Sequence, residues 1–180
     1  MKVLGLDPGS RRTGFGVVER EGNRFRALAH GVIAPSARLD LAHRLHAIAC
    51  RAGEIMAEHR PDAVVVEEAF YHESVRSTLV LGHVRGALLV AAVGHGIPIA
   101  EYSPREIKQS VTGSGAASKE QVAFMVKRLL GVRGALPQDA SDALGGALCH
   151  LMRAPRPEPA RAMSAAAKSL EALLRGRSRR

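Results

Sequence analysis

Four acidic residues in three separate segments carry the chemical potential of this chain. Val3-Leu4-Gly5-Leu6 is a short apolar run, and it ends in Asp7 just before Pro8-Gly9 breaks it. Ala63–Val66 is a second such run, and it ends in Glu67-Glu68. Asp139 and Asp142 lie three apart at the start of an amphipathic segment, so a helix would put them on one face. Each has an ordinary reading when taken alone. An Asp before Pro-Gly caps a turn, and for Asp7 by itself that reading comes first. Acids in a first helical turn favour the helix dipole. The total pattern says more. Three elements each place a carboxylate where an apolar residue would be expected, or beside one. Clustered carboxylates repel unless a cation sits among them. Oxygen donors select a hard ion, Mg²⁺ or Mn²⁺, and no His/Cys set has zinc spacing. Two such ions about 4 Å apart hydrolyse phosphodiesters, one activating water and the other stabilising the leaving 3′ oxygen. No G-x-S-x-G motif and no Cys/His signal offers a covalent nucleophile.

The elements that must position these acids follow from periodicity and breakers. Val3–Asp7, Thr13–Arg20 and Arg24–Ala34 are predicted strands, the last two joined at Gly22-Asn23, a pair suited to a tight hairpin. Gly14 and Gly16 weaken a strand and therefore mark close backbone approach. Asp40–His59 has helical spacing, stopped by Arg60-Pro61. After the Ala63–Val66 strand and an irregular stretch, Arg76–Val93 is a helix apolar on nearly every side, with a strip of small residues at Gly82, Gly86 and Ala87. A helix of that kind needs cover on both sides. It is either a central core helix or the interface of a symmetric dimer. Ile97–Glu101 is a further strand. Ser103-Pro104-Arg105-Glu106 and Ser118-Lys119-Glu120-Gln121 are capping boxes opening two helices, separated by a mobile Gly/Ser linker, 113–117. Asp139–Met152 is a last amphipathic helix. The order β-β-β-α-β-α-β-α-α-α gives an α/β fold: a mixed sheet flanked by helices, three antiparallel strands followed by parallel ones.

The 180 residues suit one domain, here 1–153, with a basic C-terminal tail at 154–180 that is disordered or partly helical. The net charge of +9 suggests a polyanionic partner. Its distribution qualifies this: +6 sits from Arg153 onward and only +3 in the body. Such a tail is a phosphate-gripping arm or a solubilising extension. No uninterrupted apolar run is long enough for a bilayer, and the N-terminus opens directly into a strand with no signal-peptide pattern. Cys50 and Cys149 sit in apolar helical patterns and read as buried thiols of a reducing compartment, which places the chain in the cytoplasm with no membrane.

LDPGSRRTGFG, VVEEAFY, LGHVRGALL, YSPREIKQSVTGSGAASKEQV and LPQDASDALGGAL, in this order, resemble the RuvC family of Holliday-junction resolvases from about Val3 to about Leu151. DPG…TG alone is also similar to the phosphate loop of actin-like ATPases, but those need two related domains. The resemblance implies an RNase H-like fold and a Mg²⁺-dependent endodeoxyribonuclease, with two ions per site and Mn²⁺ as the alternative. It implies paired, symmetric nicking of four-way junction DNA by a homodimer in recombination and repair, and a branch-migration helicase complex (RuvA–RuvB) as partner. Asp7, Glu67, Asp139 and Asp142 match the family's metal-binding catalytic acids. Lys108 and Lys119 match lysines that approach the scissile strand. Phe70 matches an aromatic that stacks on a base, and Tyr71 and Arg76 are further DNA-contact candidates; for Phe70 and Tyr71 the ordinary alternative is core packing. Gly82 and Gly86 match the dimer interface. The chain departs from the family at Glu73-Ser74, where Lys-Asn is frequent, and its tail has no fixed counterpart there.

Overall fold

In the computed structural model, residues 1–68 and 74–155 are described. Phe70, Tyr71, Glu73 and the tail from 156 onward lie outside the described residues. The elements are β1 (Lys2–Asp7), β2 (Thr13–Glu21), β3 (Arg24–Ile33), α1 (Leu41–His59), β4 (Ala63–Glu67), α2 (Val75–Gly94), β5 (Ile99–Tyr102), α3 (Pro104–Thr112), α4 (Lys119–Leu130) and α5 (Gln138–Arg153). They form one mixed sheet in the order β3-β2-β1-β4-β5. The first three strands are antiparallel, turning at Gly22 with φ +60°, while β4 joins β1 in parallel and β5 joins β4 in parallel. This is the α/β architecture that the order of elements predicted.

Alternation along the strands divides the core in two. Val3, Val18 and Val65 face one side and pack with α3, α4 and α5. Leu4, Leu6, Val17, Val64 and Val66 face the other and pack with α1 and α2.

The helix at the centre is α5, not α2. Ten α5 residues from Ala140 to Leu151 are buried. By sequence alone this segment is one amphipathic helix among others. Its core face is built of small residues, Ala140, Ser141, Ala143, Gly145, Gly146 and Ala147, so it lies almost on the sheet backbone. A Cβ at Gly5 would sit 1.9 Å from the Ala143 carbonyl oxygen, one at Gly14 would sit 1.9 Å from that of Asp139, and one at Gly16 would meet Leu144 at 2.6 Å. Gly14 and Gly16 therefore mark a close approach, as expected, and what approaches is α5. Arg20, buried on β2, donates to the carbonyls of Leu151, Ala154 and Pro155 and so ties down the far end of the helix.

By contrast α2 buries only Val84, Leu88 and Ala92. Leu79 (61%) and Val90 (73%) are among its exposed apolar side chains, so the core-helix alternative fails. With 20 residues and a mean hydropathy of 1.5, α2 is long and apolar enough to cross a membrane, which the sequence reading did not expect. Its packing on α1, and Arg85 paired with Glu101 at 2.6 Å, speak against that placement. Cys149 is buried but Cys50 is exposed, a second correction. The buried stripe of α1 runs through Ile48, Ala52, Ile55 and Met56, which turns position 50 outward.

If the Gly14 contact holds α5 in place, Gly14→Ala should destabilise the protein by roughly 1–3 kcal/mol or more through overpacking. Gly94→Ala, where nothing lies within 4 Å, should not. Thermal unfolding of both variants checks this, and equal melting temperatures would reject it.

Candidate active site

Asp7 ends the central strand β1, and its partner across the antiparallel ladder is Gly14. On the other side Leu6 pairs with Val66, so the next step of the parallel ladder brings Asp7 beside Glu67. The first turn of α5, seated over Gly14, adds Asp139, and Asp142 follows one turn on. All four acids line a single cavity of about 450 Å³. Lys108 from α3 and Lys119 from α4 line it as well.

The carboxylates feel one another strongly. Burial first, then Glu67, Asp142 and Asp139, push the Asp7 carboxyl up to about 8, with Lys119 opposing. Burial and Asp142 raise Glu67, against Lys119 and Lys108. Burial also raises Asp142, although Lys119 and a hydrogen bond from Gln138 pull it down. Partial counter-charges are present. Arg12 Nε donates to Asp139 Oδ2 at 2.8 Å, Gln138 Nε2 donates to Asp142 Oδ1 at 2.9 Å, and Lys119 Nζ stands 4.0 Å from Asp142 Oδ2. Among the described residues no three acidic, His or Cys groups are drawn into a ready coordination shell. Like charges ring the cavity rather than meet in it, and two of them are held back by Arg12 and Gln138.

These donors fit divalent cations. All are hard oxygens, they come from three elements, and the carboxyl of Asp7 is pushed up to about 8 by burial first and by its acidic neighbours second. A cation among them would reverse each of those repulsions.

Local sequence explains how the lysines arrive. Both capping boxes form: Ser103 with Glu106, and Ser118 with Gln121, so Lys119 opens α4. The 113–117 linker, expected to be mobile, is hydrogen-bonded. Gln109 Nε2 donates to the Gly113 carbonyl at 2.7 Å and the Gly115 N–H donates to Gln109 Oε1 at 2.9 Å. Arg76 is not in this cavity but lines a neighbouring cleft. Gly82 and Gly86 lie on α2 with nothing within 4 Å of where a Cβ would be. Arg12 and Gln138 were not singled out in the sequence. The only hint of the first was a second arginine in Ser10-Arg11-Arg12-Thr13, directly after the strand that ends in Asp7.

Comparison with known proteins agrees with this geometry. The family described as crossover junction endodeoxyribonuclease RuvC matches residues 3–150. A protein of that name from Chlorobaculum parvum is 49% identical over 154 residues, covering 85% of this chain and 82% of that one. One from Bordetella avium is 43% identical over 175 residues and 97% of both chains. That match is long enough to include part of the tail. Among solved structures, T. thermophilus RuvC in complex with Holliday junction substrate superposes with a TM-score of 0.80 at 38% identity, covering 84% of this chain and 93% of that one. A sheet of this order, flanked in this way, is RNase H-like.

The raised Asp7 carboxyl has a consequence for stability. Between the ordinary value of 3.8 and about 8 the folded protein binds the proton more tightly than the unfolded chain does. Metal-free stability should therefore fall as pH rises through that window. Asp7→Asn cannot ionise and should melt higher than the parent at pH 8–9 in chelator, with the gap closing toward pH 4–5. A gap independent of pH would refute the coupling.

Proposed function

The chain belongs to the RuvC family of crossover junction endodeoxyribonucleases, and from that premise we propose that it resolves Holliday junctions by paired nicks in two strands of like polarity, in recombination and repair. Nucleases of this family depend on divalent metal. The observation that carries the reading here is the convergence of Asp7, Glu67, Asp139 and Asp142, from three elements, on one cavity faced by two lysines.

In this reading the four acids hold two ions, Mg²⁺ or Mn²⁺. When bound, the ions supply an activated water and neutralise charge on the scissile phosphate and the leaving oxygen. The protein's own groups do the rest. Asp7, fixed at the strand end, sets where the phosphate must lie. Lys108 and Lys119 draw the scissile strand inward, and Lys119 does so from a helix start whose N–H groups favour phosphate. Arg12 releases Asp139 as the site fills. Phe70 and Tyr71 stack on bases at the opened junction, and Arg76 grips the backbone. The basic tail is an electrostatic arm along the DNA.

A two-fold junction needs two cuts, and so two sites related by symmetry. The bare apolar face of α2, with Gly82 and Gly86 allowing close approach, supplies the surface for a homodimer. A branch-migration helicase complex of the RuvA–RuvB kind would deliver the junction. The setting is cytoplasmic.

A synthetic mobile junction, incubated with and without divalent metal, tests the activity. Symmetric nicks on two opposing strands are expected, with little cutting of linear duplex. Asp7→Asn should abolish cleavage yet keep junction binding, because it removes a metal ligand and adds no charge that would repel the DNA. Loss of binding would instead give Asp7 a structural role. The dimer has its own test. Leu79→Glu with Val90→Glu should convert the protein to a monomer by light scattering and remove paired nicking. A dimer that survives both charges would place the interface elsewhere.

A further inference from the structure

Beside the catalytic cavity lies a second cleft, of about 600 Å³, whose charge is opposite. It is lined by Arg11 from the loop after β1, Arg44 from α1 and Arg76 from the first turn of α2, with the Ser10 and Ser77 hydroxyls between them. Pro8 and Leu81 line both cavities, so the two adjoin.

What sets these three arginines apart is that they share one cleft, since Arg24, Arg38, Arg105, Arg128 and Arg133 also have no carboxylate partner among the described residues. Arg12, Arg26, Arg51, Arg85 and Arg153 each have a carboxylate partner. Among the described residues Arg11, Arg44 and Arg76 have none. Asp40, the acid at the start of α1, is engaged by the His43 backbone and ring. Arg44 Nε is buried and has no hydrogen-bond acceptor. A buried donor left unmet is costly; the Nε atoms of Arg20 and Arg85 are unmet too, but the rest of each of those guanidinium groups is engaged. Three unpaired guanidinium groups from three elements around one cleft repel one another unless an anion joins them. Their fork geometry suits a phosphate.

We propose that Arg11, Arg44 and Arg76 form a second phosphate site, which takes a backbone phosphate of the DNA strand as it leaves the catalytic cavity. Free phosphate has the same chemistry. The strand is favoured because the cleft abuts the cavity that receives the scissile phosphate, so a chain threaded through one passes the other. The site rests on the junction-binding reading and adds to it: the acids select the bond, and the arginines fix the strand's path beside it.

The test uses the full chain and a labelled four-way junction in chelator, with binding followed by fluorescence anisotropy across a salt series. Arg11→Gln with Arg44→Gln should weaken binding and make the slope of log affinity against log salt shallower by about 1, the value for one lost phosphate contact. Single methylphosphonates placed along the strands flanking the cut site then locate the phosphate. One position should weaken the parent protein and leave the double variant unaffected. An unchanged slope, or a methylphosphonate effect equally large in parent and variant, would overturn the proposal. If the double variant loses cooperative melting, Arg11→Gln with Arg76→Gln replaces it, since both side chains are exposed. Should millimolar inorganic phosphate raise the parent's melting temperature while the variant's junction slope stays unchanged, the cleft serves a free anion and the strand assignment fails. A parent protein that binds no junction at all would defeat the functional reading instead.

Discussion

Repulsion among four carboxylates confined to one cavity is the constraint on which this structure turns. Left to itself, such a cluster would spread into water. Here packing prevents it. Asp7 is fixed by a strand buried on both faces, and Glu67 by the strand beside it. Asp139 and Asp142 are fixed by α5, which lies so close to the sheet that only glycine fits beneath it at positions 5, 14 and 16. Hydrophobic burial of α5 holds the charges together against their mutual field. Arg12, Gln138 and Lys119 relieve part of that field, but Asp7 stays protonated near neutral pH. The site is prepared for positive charge that the chain itself does not fully supply.

The remaining elements serve that arrangement by division of labour. The face of the sheet that carries α5 also carries α3 and α4, which bring the lysines, and two capping boxes fix where those helices begin. The opposite face is covered by α1 and α2. α2 spends only one side on that task and leaves Leu79, Val90 and Val93 of the other exposed. The two oppositely charged cavities adjoin at Pro8 and Leu81.

Much of this could be read from the residues. Strands that end in Asp7 and Glu67, a Gly-Asn hairpin and two capping boxes are local signals, and each formed where local chemistry placed it. The acids declared themselves by standing where apolar residues belong. What escaped was long-range. α5 is the central helix, but in sequence it is one amphipathic segment among several, whereas α2, apolar all round, left a core helix and a dimer-interface helix equally open. Hydrophobic content reports the need for cover and is silent about what covers it. Cys50 was misplaced because its neighbours are apolar, while its phase on α1 points outward. Arg12 meets Asp139 across 127 residues of sequence, a pairing that no local pattern encodes. The glycines were readable as close approaches, though not as the seat of α5.

The central claim is that acids from β1, β4 and α5 converge on shared divalent cations. Anomalous diffraction from crystals soaked in Mn²⁺ tests it most directly. The account predicts anomalous peaks inside the cavity, with Asp7 at about 2.1 Å, an inner-sphere distance for a small hard cation, and with Glu67 and the α5 aspartates completing the shells as Asp139 leaves Arg12. Ordered Mn²⁺ elsewhere, with the cavity empty and the Arg12–Asp139 pair intact at saturating metal, would contradict it.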